Sequence, residues 1–195
     1  MPYAQDSRRR FGLIPLLLVL AMAGSAHAAD ACPDTSALEP ARAVVRDLQR
    51  ITTPNGIQEQ YATPIGGVNQ WLTIRGEDRA NPVILFVHGG PASPVTPNLW
   101  QFQRPLEEYF TMVDWDQRGA GKTYAEAWPD GIAPTLAIER YLDGAIEVGE
   151  HQRTHLGQRK VILMAHSWGT IVAMQAALKR PDLFHAYVGI GQIIN

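Results

Sequence analysis

The sequence has little cysteine and little net charge. Cys32 is the only cysteine among 195 residues, so no disulfide can form within the chain. The formal net charge at pH 7 is −2, which gives no indication of nucleic-acid binding. Histidines and acidic residues do not cluster at metal-ligand spacing, so no metal site is predicted. What remains is a chain that is 46% hydrophobic and long enough for one domain or the larger part of one.

Two glycine-containing segments that could suggest nucleotide binding fail on their spacing. A phosphate loop ending in Gly121-Lys122-Thr123 requires its first glycine at position 116, where Asp116 stands. A dinucleotide-binding turn through Gly119 and Gly121 requires a third glycine three residues further on, where Tyr124 stands. No cofactor is therefore predicted.

The first 28 residues have the features of a secretory signal peptide. Arg8-Arg9-Arg10 precedes an apolar run over residues 11–23, and Ala26-His27-Ala28 provides an A-x-A cleavage site. The apolar run is short for a helix that spans a bilayer, so cleavage is favoured over a retained membrane anchor. The arginines fit a twin-arginine signal as well as a general secretory signal, and both routes stay open. We expect an exported protein, periplasmic or secreted, with no membrane segment after cleavage.

Residues 29–56 are interpreted as a leading helix and linker, and residues 57–195 as the main domain. Apolar residues at helical spacing predict a helix over Ala37–Ile51, and Thr53-Pro54-Asn55-Gly56 then interrupts the chain. Within the main domain, strands and helices alternate. The predicted strands are Ile57–Thr63, Gln70–Ile74, Val83–Val87, Phe110–Trp115, Val161–Met164 and Ala186–Ile194, and the predicted helices are Leu99–Tyr109, Gly131–Leu156 and Ile171–Leu178. This alternation indicates an α/β fold with a mostly parallel sheet, flanking helices and active groups at the strand ends.

The strand at 161–164 leads directly into His166-Ser167-Trp168-Gly169 and then into a helix. A strand, a sharp turn with serine at its apex and a helix are the context of a nucleophile elbow, the G-x-S-x-G turn of α/β-hydrolases. Small residues flank the serine because the strained turn brings the strand and the helix close together. Ala165 replaces the first glycine and Gly169 retains the second. Ser167 is therefore the candidate catalytic nucleophile.

A second loop supplies candidate partners for this serine. His88-Gly89-Gly90-Pro91 follows the fully apolar strand Val83–Val87, and glycines there allow backbone amides to approach a ligand. In a hydrolase, the amides of Gly90 and Trp168 would form the oxyanion hole. His88 and Gly89 would support this turn, as would Asp116 and Arg118 from the loop beside it.

Three motifs in order carry a resemblance to a known family. They are His88-Gly89-Gly90-Pro91, the segment Asp114–Thr123 with its Asp-Gln-Arg-Gly core, and His166-Ser167-Trp168-Gly169. Together they resemble the prolyl aminopeptidase (proline iminopeptidase) branch of the α/β-hydrolases over roughly residues 58–195. The chain departs from that pattern at Ala165, at Ala92, where the family often has glycine, and at Thr123, where it usually has serine. The resemblance implies a serine hydrolase that releases an N-terminal residue, often proline, from a small peptide, although similar proteins cleave esters, amides or lactones.

The sequence offers no convincing acid or base for this serine. In α/β-hydrolases the order is serine, then Asp or Glu, then His, and only Asp182 and His185 follow Ser167. Both come too early to lie at later strand ends. We therefore expect a fragment that lacks the triad acid, the triad base and the cap, and that is weak or inactive alone. A non-catalytic exported binding protein remains the alternative. An epoxide hydrolase or dehalogenase is disfavoured because those enzymes use aspartate at the nucleophile position.

Overall fold

The structure, a computed structural model, describes residues 36–127 and 132–194. The predicted signal peptide and Cys32 lie outside these ranges. The chain divides into two compact units, residues 1–40 and 41–195. The leading helix, α1, spans Glu39–Leu48 after a 3-10 turn at Ser36–Leu38, and so ends three residues before the predicted Ile51.

A six-stranded sheet forms the main unit. Its strands are β1 Ile57–Ile65, β2 Val68–Gly76, β3 Val83–Val87, β4 Thr111–Asp116, β5 Val161–His166 and β6 Phe184–Ile190. Their spatial order is β1-β2-β4-β3-β5-β6. β2 pairs antiparallel with both β1 and β4, whereas β3, β4, β5 and β6 run parallel. The carboxyl ends of β3, β4 and β5 therefore meet at one edge, which brings the three motifs of the sequence together.

The helices of the main unit follow the parallel strands. They are α2 Arg104–Glu107, α3 Gly121–Ala127, α4 Ile138–His155 and α5 Gly169–Lys179, and short 3-10 turns occupy Leu99–Gln101 and Ala133–Thr135. Side chains of α4 and α5 form one hydrophobic core with alternate residues of the central strands, among them Leu85, Trp115 and Leu163. At Gly144 of α4, an added Cβ would lie only 3.1 Å from the Trp115 ring. The fold class predicted from the sequence is confirmed as a mostly parallel sheet with flanking helices.

Several predicted boundaries are wrong for local reasons. The predicted helix Leu99–Tyr109 is broken into a 3-10 turn and the four-residue α2, because Pro105 has no amide to donate to the preceding turn. The predicted helix Gly131–Leu156 starts instead at Ile138. The strand predicted to continue to Ile194 ends at Ile190, where Gly191 takes a positive φ of 58°.

Helix α3 was not predicted, since Gly119 and Gly121 read as a turn. A side chain stabilises its start: the Thr123 hydroxyl donates to the Asp116 carbonyl at 2.6 Å. The Asp116 carboxylate accepts the Lys122 amide at 2.9 Å, which satisfies an early amide of the helix. The helix thus begins at Gly121 with one of its early amides bonded to the preceding aspartate.

Among residues 36–127 and 132–194, none of the helices combines the length and the apolar character needed to cross a membrane.

The carboxyl group of Asp114 is buried on the sheet face opposite α4 and α5. Asp114 is 2% exposed, and neither of its side-chain oxygens has a hydrogen bond to another described residue. Burial raises the pKa of Asp114 to about 7; Gln103 and Arg75 oppose the rise and Glu107 adds to it. Glu107 itself is paired, with Arg75 at 2.7 Å and Arg104 at 2.9 Å. Ionising Asp114 therefore costs more free energy in the folded protein than in the unfolded chain.

We expect Asp114→Asn to remove a pH dependence of stability. Because the pKa is raised in the folded state, the contribution of Asp114 is fully present below its unfolded pKa and is lost as the pH rises through about 7. Relative to the variant, the wild-type protein should lose about 2 to 3 kcal/mol of unfolding free energy between pH 5 and pH 9. Urea unfolding across this range measures it. Asp143→Asn, at a half-exposed carboxylate paired with Lys179, controls for loss of one charge. Parallel curves for wild type and Asp114→Asn would contradict the expectation.

Candidate active site

Ser167 lies at the apex of the turn between β5 and α5. Its φ is 52°, a left-handed conformation that costs a non-glycine residue roughly 1–3 kcal/mol. Backbone contacts hold it there. The Ser167 amide donates to the Ile190 carbonyl at 2.9 Å, and the amide and hydroxyl of Thr170 both donate to the Ser167 carbonyl, at 2.9 and 2.6 Å. The turn therefore has the backbone geometry that a nucleophile elbow requires.

Gly169 permits a close approach between this elbow and the end of β3. A Cβ at position 169 would overlap the Val87 carbonyl oxygen and lie 2.5 Å from the carbonyl oxygen of His88. Both obstacles are backbone atoms of a central strand and its exit, so they cannot move aside. The second small residue of the elbow is needed here for packing between helix and strand, as the sequence predicts.

The His88–Pro91 turn lies directly against the serine. A Cβ built on Gly89 would be 3.1 Å from the Cβ of Ser167 and 3.1 Å from the His166 carbonyl oxygen. Gly90 has a φ of 126°, which strongly favours glycine, and Ala92 has a φ of 63°. Ala92 therefore occupies a left-handed position, which gives a physical reason why glycine is common there in the proteins this chain resembles.

Trp168 immediately precedes α5. Amides at the start of a helix lack intrahelical acceptors, and the helix dipole favours negative charge at that end. The Trp168 ring meets the Tyr141 ring edge-on, with centroids 4.9 Å apart and planes at 85°. Both rings line a cavity of about 250 Å³ whose other walls are Pro91, Ala92, Gly119, Leu136 and Ile138. An apolar cavity thus adjoins the residue next to the candidate nucleophile.

Asp116 connects three segments around this edge of the sheet. Besides the amide of Lys122, its carboxylate accepts the Thr96 hydroxyl at 2.7 Å, from the loop that follows the His88–Pro91 turn. Gly121 leaves room for this carboxylate, since a Cβ there would collide with its oxygens. Asp116 is 5% exposed, so these bonds are shielded from water.

Arg118 lies in the loop between β4 and α3 and is 1% exposed. Its guanidinium donates to the Gly66 carbonyl at 2.8 Å, the Ile65 carbonyl at 3.3 Å and the Thr135 hydroxyl at 2.8 Å. Its own carbonyl accepts the Tyr141 hydroxyl at 3.0 Å. Arg118 therefore joins the β1–β2 turn to the loop that lines the 250 Å³ cavity.

His88 is 1% exposed and is held by Gln117, a residue that the sequence analysis did not single out. The Gln117 side-chain amide donates to the His88 carbonyl at 2.9 Å, and the Gln117 backbone amide donates to His88 Nε2 at 3.3 Å. His88 Nδ1 lies 2.7 Å from the Gly89 carbonyl oxygen. Burial lowers the pKa of His88, while the Gly89 carbonyl and Asp116 oppose that shift, so the neutral ring is favoured. The Asp-Gln-Arg-Gly order of the motif was the only sequence signal for Gln117.

The other described histidines make different contacts. His151 Nε2 is 3.1 Å from the Tyr61 hydroxyl, so this residue is partly buried rather than simply at an exposed helix end. His155 pairs with Glu59 at 2.8 Å, and His185 is exposed. His166 is exposed and lines an apolar cavity beside Phe86. Within residues 36–127 and 132–194, no histidine or carboxylate is hydrogen-bonded to the Ser167 side chain.

Two further observations limit the chemistry of the described residues. Asp182, the acidic candidate downstream of the serine, is paired with Arg180 at 2.8 Å, as befits a loop residue. Across the described ranges, no three histidine, cysteine or acidic side chains come together in a way that could hold a metal ion.

The fold and the elbow define a class of protein, and comparison with known sequences identifies its family. The profile of the alpha/beta hydrolase fold matches residues 82–195, more than half of the sequence. The chain therefore belongs to the α/β-hydrolase fold family.

Individual relatives within this family differ in their named activities. A probable aminopeptidase, YbaC from Bacillus subtilis, is 40% identical over 131 residues, 67% of this chain and 40% of the relative. A probable proline iminopeptidase from Streptomyces coelicolor is 27% identical over 113 residues, 58% of this chain and 33% of the relative. The crystal structure of epoxide hydrolase VrEH1 from Vigna radiata aligns with a TM-score of 0.54 at 28% identity, over 68% of this chain and 39% of that one. The match thus spans well under half the length of each of these relatives.

Proposed function

We propose that this chain is the nucleophile-bearing part of an exported serine hydrolase that forms an acyl-enzyme on Ser167. The observation that carries the proposal is the left-handed Ser167 at a strand-to-helix turn, in contact with the Gly89–Gly90 turn. The loops after β3 and β5 lie against each other at Gly89 and Ser167, which supports the proposal that the amides of Gly90 and Trp168 bind one oxygen. Strain at a non-glycine residue persists only where the surrounding structure enforces it, as the backbone bonds of Ser167 do here.

In the proposed reaction, Ser167 Oγ attacks the carbonyl carbon of the substrate and transfers its proton to a base. The carbonyl oxygen becomes negatively charged and accepts hydrogen bonds from the Gly90 and Trp168 amides. Each such donor stabilises the transition state by several kcal/mol, of the order of 3. The bond to the leaving amine or alcohol then breaks, and the leaving group takes the proton from the base. Water next gives a proton to the base and attacks the acyl-enzyme, and Ser167 Oγ leaves and regains that proton.

The base and the acid that orients it are proposed to come from sequence beyond Asn195. None of the described histidines is hydrogen-bonded to the Ser167 side chain, and the relatives continue for more than half of their length outside the match. A serine without a base is a poor nucleophile, so the 195-residue chain alone should be weak or inactive.

A proline-type aminopeptidase is the proposed activity, on small peptides. It is supported by the order of the three motifs and by the likeness to the Bacillus and Streptomyces relatives. An esterase or lactonase would use the same elbow. The likeness to VrEH1 makes epoxide hydrolysis a second candidate. That candidate is disfavoured by Ser167, since epoxide opening by a serine hydroxyl would give an ether, which water does not cleave readily, whereas an aspartate nucleophile gives an ester.

Export is proposed on the sequence pattern of residues 1–28 alone, with cleavage after Ala28. A non-catalytic exported binding protein is the remaining alternative, and it would keep the fold without turning over a substrate.

A substrate panel tests the proposed activity on the protein extended to the length of its relatives. Prolyl-naphthylamide should be cleaved faster than p-nitrophenyl acetate or styrene oxide, each measured as kcat/KM. Faster ester cleavage would favour the esterase alternative, and diol formation would favour an epoxide hydrolase. Turnover of none of the three would favour the non-catalytic alternative.

A further inference from the structure

We infer that Gln117 is a positioning residue that sets the direction of the Gly90 amide through His88. This inference rests on the proposed function, because it assigns Gln117 to the oxyanion hole of that same site. Gln117 comes from the loop after β4, whereas His88 comes from the end of β3. The two neighbouring parallel strands thus deliver the pair to one edge of the sheet.

The hydrogen bonds define one protonation state of the His88 ring. The Gln117 backbone amide can only donate, so His88 Nε2 must accept and carries no proton. The proton of the neutral ring then lies on Nδ1, where it donates to the Gly89 carbonyl oxygen at 2.7 Å. His88 is 1% exposed, and this burial lowers the pKa of the ring, which favours the neutral form.

The Gly89 carbonyl and the Gly90 amide belong to the same planar peptide group. That peptide is trans, so its C=O and N–H bonds point in opposite directions. A ring that holds the carbonyl on one side therefore fixes the amide hydrogen on the other. Gly90 needs this support, because glycines lack the side chain that restricts backbone rotation.

The side chain of Gln117 fixes the backbone of His88. Its side-chain amide donates to the His88 carbonyl at 2.9 Å, so His88 is fixed at its backbone and at its ring by one residue. Gln117 is fully buried, at 0% exposed, and water cannot easily replace these bonds. The Gln117 side chain thus acts on the His88 backbone, and the His88 ring in turn holds the Gly89 carbonyl and with it the Gly90 amide.

Gln117→Met tests this inference in the protein extended to the length of its relatives. Methionine keeps the length and fills the space, but its side chain cannot donate to the His88 carbonyl; the backbone amide that donates to His88 Nε2 is kept. We expect kcat to fall about tenfold to a hundredfold while KM changes less than about threefold, because a displaced oxyanion donor weakens the transition state selectively. A peptidyl trifluoromethyl ketone, whose serine adduct carries an oxyanion, should lose affinity by a similar factor.

Gln152→Met is the matched control. Gln152 is equally buried, at 0% exposed, and donates to the Tyr61 hydroxyl at 3.2 Å, away from the serine. It should lower thermal stability without changing kcat. Gln117→Glu serves as a second variant if the methionine variant does not fold, since glutamate keeps the shape and accepts hydrogen bonds instead of donating them when ionised.

The outcomes separate this inference from the proposed function. If the wild type turns over substrate and Gln117→Met has the kcat of Gln152→Met, only the positioning role is overturned. If the wild type has no turnover, the proposed function fails, and crystal structures of wild type and Gln117→Met still decide the geometry. The inference expects the Gly89–Gly90 peptide plane to differ between those two structures, and an unchanged plane overturns it.

Discussion

Ser167→Ala should lower kcat/KM by about four orders of magnitude or more in the protein extended to the length of its relatives, with folding preserved. Removing the nucleophile of a serine hydrolase eliminates the acyl-enzyme route and leaves only what binding and the oxyanion hole provide. Folding should be preserved because alanine removes only the hydroxyl, while the bonds that hold the turn are made by backbone atoms of Ser167. Steady-state kinetics with the best substrate of the panel measures the loss.

Ser93→Ala is the control for this variant. Ser93 is exposed and follows the same glycine turn, so it is the alternative hydroxyl in that region. The control should retain wild-type kcat/KM. Loss of activity in Ser93→Ala, with activity retained in Ser167→Ala, would identify Ser93 as the nucleophile and contradict the assignment of Ser167.

Gly169→Ala should destabilise the fold by about 3 kcal/mol or more. The methyl group would overlap the Val87 carbonyl and lie 2.5 Å from that of His88, so either α5 or the end of β3 must shift. Residues in the centre of a sheet relax little, because their neighbours are close-packed. Urea unfolding and circular dichroism measure the change. The same shift should displace the elbow, so activity should fall along with stability.

Gly157→Ala separates this steric effect from a backbone effect. Gly157 has a φ of 66°, and nothing lies within 4 Å of a Cβ built on it. Alanine there should cost only the left-handed conformation, about 1 kcal/mol. If Gly169→Ala were no more destabilising than Gly157→Ala, this would contradict the tight contact between β3 and α5.

The central strands were predictable from sequence because their burial leaves a direct pattern. β3 has the predicted bounds Val83–Val87, since a strand covered on both faces is apolar at every position. The two-residue turn at Gly66-Gly67, with φ of 56° and 78°, likewise followed from glycines between two alternating segments. Helices with weak periodicity were less predictable: α2 and α3 depend on Pro105 and on the Asp116 cap more than on an apolar face.

Residues whose importance comes from long-range contacts could not be found in this way. Gln117 holds His88, 29 positions earlier, and Arg118 reaches Gly66, 52 positions earlier. Such bonds depend on the order of strands in the sheet, which no local pattern contains. The buried Asp114 is a similar case, because the sequence places it within the strand Phe110–Trp115 but does not show that its carboxyl group is buried.

The most direct test of the account is a crystal structure of the protein, extended to the length of its relatives, after reaction with a fluorophosphonate. We predict a phosphonyl group on Ser167 Oγ with its oxygen within about 2.7–3.1 Å of both the Gly90 and the Trp168 backbone nitrogens. A phosphonyl oxygen that points away from these two amides, or an adduct on a residue other than Ser167, would contradict it.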